Sequence, residues 1–326
     1  MRDAAMVGSM RPTPSHAPQP VCVIVNSTSG RGCDSHWVHS LQRQFEASGA
    51  PAEVVLVKSG EEILQAATAA IRAHAPAVVA AGGDGTVSAV ASRLAGTDVP
   101  LGVVPMGTLN HFAKDLGIPL ALEAAVSTIT EGHQAAVDAA EVNGRLFINN
   151  SSLGLYPDIV LDRERQRRRL GRGKWRALLA ASVHAARKYP VLALQLELDG
   201  KRWERQSAFV FVGNNEYQME GFEIGERASL SDGRLSLYVT QRTGRFGLLR
   251  LALRALTRRL RQARDFDIVT ARSLTVRTPH QHLRVATDGE VNVMRTPLEY
   301  RVRPGALKVF VPVPAPRRNE QRGDAG

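Results

Sequence analysis

Five consecutive residues, Gly82-Gly83-Asp84-Gly85-Thr86, place three glycines, a carboxylate and a hydroxyl directly after the apolar run Val78-Val79-Ala80-Ala81. Glycine loses more backbone freedom on folding than any other residue, and gains positive φ or close backbone approach in return. A tight turn needs one or two glycines, so three point to a bound group pressed against the main chain. Strand, glycine loop and helix in that order make a phosphate site, because free N–H groups and the positive end of a helix dipole face an anion there. The spacing is neither the G-x-x-x-x-G-K-[ST] of a Walker A loop nor a G-x-G-x-x-G dinucleotide fingerprint. Asp84 could hold Mg²⁺ or a nucleotide hydroxyl, and Thr86 could cap the helix or touch a phosphate. The same residues could equally form a structural turn with Asp84 as its local cap.

The elements around this loop decide what it can meet. From Val21 to about Asp138, short apolar runs such as VCVIVN, AEVVLVK and AVVAAG alternate with helical stretches such as WVHSLQRQFEASG and EEILQAATAAIRAHA. That alternation implies βαβ units and a parallel sheet covered on both faces. In such sheets ligands bind at the carboxyl ends of the strands. Three loops fall there, NSTSGRG at 26–32, GGDGT at 82–86 and PMGTLN at 105–110, each with glycine beside small hydroxyl or amide residues. After about Ala139 the pattern becomes short, often alternating runs separated by Asp199-Gly200, Asp232-Gly233 and Asp288-Gly289, the signature of an antiparallel β-sandwich. The expected fold class is therefore α/β. A Rossmann-like parallel α/β domain at 21–138 binds nucleotide, and a mainly antiparallel β-sandwich domain at 139–313 follows. Tails at 1–20, with four prolines between Pro12 and Pro20, and at 314–326 are expected to be disordered.

Composition narrows the partners. The chain has 326 residues, 44% hydrophobic and 22% charged, with a formal net charge of +11. That excess favours anionic partners: nucleotides, nucleic acid or an acidic membrane surface. Two cysteines, Cys22 and Cys33, exclude a disulfide framework and fit a reducing compartment. No window holds about 18 uninterrupted apolar residues, so no bilayer-spanning helix is expected.

GGDGT followed by PMGTLNHFAKDLGIP at 105–119, with NSTSGRG upstream and ATDGE at 286–290, resembles the diacylglycerol kinase catalytic-domain family, which includes bacterial lipid kinases and the sphingosine and ceramide kinases. AAVDAAEVNGRLFINNSSLGL at 135–155 is similar to that family's crossing into its second domain, and ASLSDGRLSLYV at 228–239 to its DG-x-L strand. The resemblance runs from about Val21 to Pro312. It implies ATP bound with Mg²⁺ in the cleft between two domains. The nucleotide loops then match Asn26, Ser29, Gly30 and Arg31; Gly82, Gly83, Asp84, Gly85 and Thr86; and Gly107, Thr108 and Asn110. The general base matches Asp288 with Glu290 beside it, Asp84 serves Mg²⁺, and Asp232 is associated with a structural metal. Two positions depart from the family pattern. Ser27 replaces a proline in the first loop, and His111 stands where many members have aspartate. Without the resemblance, Asp288-Gly289 reads as a hairpin turn like the other Asp-Gly pairs.

Two arginine-crowded helical segments, 163–188 and 245–264, suit a lipid substrate. In the second, Leu249, Leu253, Leu256 and Leu260 make one stripe and Arg250, Arg254, Arg258 and Arg261 another. Such a helix can lie on an anionic membrane, or its leucines can pack on the β domain. The resulting expectation is an ATP-dependent lipid kinase, cytoplasmic and peripheral on the inner face of the membrane; a homodimer is compatible with it. Competing readings are NAD kinase, for which Asn214-Asn215-Glu216-Tyr217 offers an Asn-Glu pair, and a basic nucleic-acid-binding protein, disfavoured by only 5% aromatic residues. A non-catalytic lipid-binding relative should have lost Asp288 or the glycines.

Overall fold

A computed structural model describes residues 19–29, 33–154, 192–207, 209–220, 223–240 and 266–313. The basic segments 163–188 and 245–264 lie outside the described residues, as do Gly30 and Arg31.

The first half builds β1 (Val21–Asn26), α1 (Ser35–Ala47), β2 (Ala52–Val57), α2 (Gly60–Arg72), β3 (Val78–Gly82), α3 (Asp84–Leu94), β4 (Leu101–Pro105), α4 (His111–Asp115) and α5 (Leu122–Thr130). Strands β2, β1, β3 and β4 pair in that order, all parallel. Their side chains alternate between two buried layers. Cys22, Ile24, Val78, Ala80, Leu101 and Val103 pack with Ile63 and Ala67 of α2 and Val87, Val90 and Leu94 of α3. Val23, Val25, Val79, Ala81 and Val104 pack on Leu41 and Phe45 of α1 and Val126 and Ile129 of α5. Burial on both faces is why these strands read as unbroken apolar runs.

Beyond α5 the described elements are β5 (Gln134–Val142), β6 (Arg145–Phe147), β7 (Asn150–Gly154), β8 (Leu192–Leu198), β9 (Lys201–Ser207), β10 (Phe209–Asn214), β11 (Tyr217–Glu220), β12 (Glu223–Arg227) and β13 (Leu235–Thr240). β14 (Phe266–Ala271), β15 (Ser273–Arg277), β16 (His282–Thr287), β17 (Glu290–Arg295) and β18 (Leu298–Phe310) follow. A sheet ordered β14-β13-β10-β7-β16-β17, antiparallel throughout, faces a layer made by β18, β15, β8 and β9. Leu153, Val210, Val212, Leu237 and Val285 from one sheet and Leu194, Leu196, Leu274, Val276 and Leu298 from the other fill the space between. The α/β domain with its parallel sheet and the antiparallel sandwich are both present.

One strand joins them. The start of β18 pairs with β15, while its end, at Val309, lies parallel to β4 at Leu101, and β5 runs along both parts. The larger sheet therefore continues from one domain into the other. The strand changes role at a bulge between Arg303 and Leu307, where Gly305 takes φ +56. Asp138 of β5, 1% exposed, fixes this crossing: its carboxylate accepts from Gly305 N at 2.8 Å and from Gly233 N at 2.7 Å. Replacing it removes the shared acceptor of two N–H groups, of which Gly233 is half-buried and Gly305 exposed. With water replacing part of what is lost, Asp138→Ala is expected to lower unfolding free energy by about 2 kcal/mol, the scale of a hydrogen bond to a charged group, read from the midpoint of urea unfolding. A loss below about 0.5 kcal/mol, the scale of a neutral surface change, would show that Asp138 does not fix the crossing.

Candidate active site

Helices α1 and α2 are capped by side chains: Asp34 accepts from Trp37 N and Ser59 from Glu62 N. Helix α3 begins after Gly83 with no side-chain cap. The carbonyl of Gly83 takes Thr86 N and Val87 N, which leaves Asp84 N and Gly85 N outside the helix's own hydrogen bonding. An uncapped helix start at the carboxyl end of a buried strand is an anion site in waiting.

The loops at the ends of β1, β3 and β4 are tied to one another rather than merely near. Asn26 Nδ2 donates to Thr86 Oγ1 at 3.0 Å. Met106 N donates to Gly82 O at 2.8 Å, and Asn110 N donates to Asp84 Oδ2 at 3.0 Å. Asn110, in the left-handed region at φ +51, also closes its own loop by exchanging bonds with Gly107 N and Gly107 O. Two of the three glycines in 82–85 are explained by this packing. A Cβ on Gly82 would meet Thr86 at 2.5 Å or less, and one on Gly83 would lie 3.3 Å from Gly107 Cα; a Cβ on Gly107 would in turn meet Gly83 Cα at 2.7 Å. A Cβ on Gly85 would meet nothing within 4 Å. Neither glycine takes positive φ; their lack of a side chain lets Gly82 pack on Thr86 of its own loop and Gly83 on the Gly107 loop. Only Gly85 leaves space in which a ligand can approach the main chain. Ser29 lies at the rim, its N–H bound to Asn26 O, and Thr108 is exposed.

Asp288 enters from the other domain. It sits in a hairpin turn between β16 and β17 with φ +47, followed by Gly289 at φ +86, as the Asp-Gly pattern predicts. Its carboxylate, however, points across the domain boundary. Oδ2 accepts from Ser88 Oγ at 2.5 Å and Ile148 N at 2.8 Å; Oδ1 accepts from Asn149 N at 2.9 Å and Asn150 N at 3.1 Å. Ser88 stands one turn after Asp84 on α3, so residues i and i+4 bring both carboxylates to one helix face. Asp199, in an equivalent turn, accepts from Arg272 N, Ser273 N and Ser273 Oγ at the surface. Geometry separates the two Asp-Gly turns where sequence alone could not.

Burial pushes the Asp288 carboxyl above the ordinary aspartate range, and the bonds from Ser88 and the main chain at 148–150 reverse only part of that. Glu290, beside it, is exposed and paired with Arg145, whose Nε donates to Thr287 Oγ1. Asp232 is exposed; its N–H is held by Asn215 Oδ1, and its turn is tied to Asp138 rather than to α3. Among the described residues, no three His, Cys, Asp or Glu side chains cluster as a metal site. Magnesium commonly takes one or two carboxylates and draws its remaining ligands from substrate phosphates and water, and Asp84 beside an open helix start fits that arrangement. Ser88, Asn149, Asn150, Arg145 and a buried Arg227–Asp115 pair belong to this site and were not singled out in the sequence; Asp115, Arg145, Asn149 and Asn150 lie within the family-like stretches 105–119 and 135–155, but Ser88 and Arg227 lie in no motif.

Residues 20–142 match the family model described as diacylglycerol kinase catalytic domain, and residues 158–311 match the YegS C-terminal NAD kinase beta sandwich-like domain. A diacylglycerol kinase of Bacillus subtilis (strain 168) is 28% identical over 281 residues, covering 83% of this chain and 90% of that protein. One from Mycobacterium tuberculosis (strain ATCC 25618 / H37Rv) is 28% identical over 299 residues, covering 90% and 95%. An uncharacterized Synechocystis protein is 30% identical, and the chain spans 55% of its length. A solved structure of a diacylglycerol kinase from Bacillus anthracis shares the fold with a TM-score of 0.65 at 21% identity, covering 90% of this chain and 97% of the other.

The raised Asp288 value has a direct check. Because the folded pKa exceeds the unfolded one, Asp288 favours folding below the unfolded value, and that contribution fades as pH rises through the folded one. The ¹³C carboxyl resonance of Asp288 is expected to titrate above the usual aspartate value near 3.9, and Ser88→Ala should move it higher by removing a donor to the charged form. A midpoint at or below 3.9 in both proteins would contradict this electrostatic account.

Proposed function

The chain belongs to the diacylglycerol kinase catalytic-domain family, and from that premise we propose that it transfers the γ-phosphate of ATP to the hydroxyl of a membrane lipid such as diacylglycerol. The observation that supports this reading most is the bond from Ser88 to Asp288. It links the helix whose open N-terminus suits phosphate to a carboxylate of raised basicity carried by the other domain.

Phosphoryl transfer needs positioning and charge neutralisation more than covalent chemistry. Asp84 N and Gly85 N, at the start of α3, would donate to phosphate oxygens, with Gly85 leaving the room for close approach. Asn26, Thr86 and Asn110 would hold the loops that form this floor, and Ser29 and Thr108 its rim; Gly30 and Arg31, outside the described residues, would add nucleotide contacts only as the family resemblance implies. Mg²⁺, carried by the phosphates and held by Asp84, would offset the charge that spreads over the γ-oxygens. Asp288 would accept the proton from the lipid hydroxyl as its oxygen attacks phosphorus and ADP departs. Three of its four partners are main-chain N–H groups that can only donate. The Ser88 hydroxyl can turn and accept, so the proton received would sit on Oδ2, shared with Ser88 Oγ. Glu290 and Arg145 flank the turn and would orient it. Access to a bilayer substrate would come through the basic segments 163–188 and 245–264. Among the described residues no helix is long and apolar enough to cross a membrane.

The second family match names an NAD kinase-like sandwich, which keeps NAD⁺ in view as an acceptor. The Asn-Asn-Glu stretch is only partly spent on the fold: Asn215 Nδ2 is buried with no hydrogen-bond partner among the described residues, and Glu216 is exposed. Asn214 Nδ2 is bound to Asp138 O and Ile148 O inside the protein, and Asn215 Oδ1 to Asp232 N. The test is transfer of label from γ-labelled ATP into a mixed lipid extract in detergent micelles with Mg²⁺, with NAD⁺ as parallel acceptor. A labelled lipid is expected, and Asp288→Asn should reduce its formation by roughly 10²–10⁴-fold, the usual contribution of a general base. Label in NAD⁺, or transfer to lipid undiminished by Asp288→Asn, would overturn the proposal.

A further inference from the structure

Arg227 is the described arginine most fully enclosed: its side chain is 0% exposed and that of Asp115, its partner, 5%. A buried ion pair gains little net stability over well-packed apolar residues, because both charges lose their water. What such a pair does give is fixed geometry, and every bond Arg227 makes lands on a segment next to the site. Its Nε and Nη2 reach Asp115 Oδ2 at 2.7 Å, and its main-chain N–H donates to Asp115 Oδ1 at 3.3 Å. Nη1 donates to Ile148 O at 2.7 Å and Asn214 O at 3.2 Å, and Nη2 to Asn149 Oδ1 at 2.9 Å. The guanidinium carbon lies 5.2 Å from the Tyr217 ring centroid, which fixes its plane.

Two of these partners matter doubly. Ile148 and Asn149 receive Arg227 on their oxygen atoms and present their N–H groups to Asp288. Asp115 is the last residue of α4, which starts immediately after Asn110, the residue bound to Asp84. The contacts close a ring: Asp84 to Asn110, along α4 to Asp115, through Arg227 to 148–149, on to Asp288, and back through Ser88 to the helix that carries Asp84. We propose that Arg227 is the positioning residue that closes this ring and sets the distance between the phosphate loops and the Asp288 carboxylate. It touches neither reactant; it acts through α4 and through the 148–149 backbone. The role depends on the planar fork rather than on positive charge, since a lysine ammonium cannot serve Asp115, Ile148 and Asn149 together.

The inference rests on the phosphoryl-transfer reading, so its test has one arm that needs no activity. Arg227→Lys, Arg227→Met and Asp115→Asn are compared with Val276→Ala, a core truncation in β15 outside the ring that controls for lost stability. The first arm is the Asp288 carboxyl titration by ¹³C NMR. Burial, Ser88 Oγ and the main-chain N–H groups at 148–150 set that titration, and the Asp288 charge in turn bears on Tyr217, which also feels Arg227 and Asp115. Arg227→Lys keeps the positive charge, so a move of the Asp288 midpoint to higher pH there reports displaced N–H donors and not lost charge. The second arm is lipid phosphorylation, where a misplacement near 1 Å costs about 10²-fold. kcat is expected to fall by that order in Arg227→Lys and Arg227→Met alike, with KM for ATP changed far less, while Val276→Ala keeps both values. Should the Arg227 variants fail to fold, Asp115→Asn, which leaves three acceptors on the guanidinium, is read alone and must show the same two shifts. An unmoved Asp288 titration, or wild-type kcat in Arg227→Lys, overturns the ring. Wild-type protein without kinase activity, but with the titration shifted in the variants, sinks the functional reading and leaves the ring standing.

Discussion

A carboxylate taken out of water must find donors, and the one on Asp288 finds them on both sides of the cleft. Three come from the backbone where β7 begins, and one comes from α3 in the other domain. Meeting that demand fixes much else. The hairpin must place Asp288 in the left-handed region so that its side chain turns inward, and the bend at 148–149 must keep three successive N–H groups converging on it. The two domains must also hold one relative orientation. The last condition is served by β18, which belongs to both domains and carries the larger sheet across their boundary.

The same economy governs the phosphate loops. Gly82 and Gly83 are small because Thr86 and Gly107 occupy the space a side chain would need, and Asn110 knits its own loop while holding Asp84. These contacts leave the floor rigid before any anion arrives, the condition under which fixed dipoles stabilise charge most effectively. Gly85 and the uncapped start of α3 remain the open part of an otherwise closed surface.

Much of this was legible in the sequence, for physical reasons. Strands buried on both faces leave unbroken apolar runs, so β1, β3 and β4 and the loops at their ends could be read directly. Alternation in β8, with burial on every second residue, announced a sheet with one face buried. What could not be read were features created by chain segments far apart. Ser88 looks like any serine in a helix until Asp288, 200 residues later, arrives beside it. Arg227 is one of many arginines in a chain of 42 basic residues, and nothing local marks it as buried. The division of β18 between two domains is likewise invisible, because its bulge at 303–307 reads as an ordinary Pro-Gly turn. The Asp-Gly pairs at 199 and 288 have the same local chemistry, and only their surroundings tell them apart.

The central claim is that the α3 start and the Asp288 loop form one site, with nucleotide phosphates at one end and the acceptor hydroxyl at the other. Amide chemical shifts of the ¹⁵N-labelled protein during titration with Mg²⁺ and a non-hydrolysable ATP analogue test this most directly. The account predicts saturable shifts at Asp84 and Gly85, accompanied by smaller ones at Ile148, Asn149 and Asn150, which sense α3 through Ser88 and Asp288. Binding that leaves Asp84 and Gly85 unmoved, or that shifts only residues remote from both loops, would contradict it.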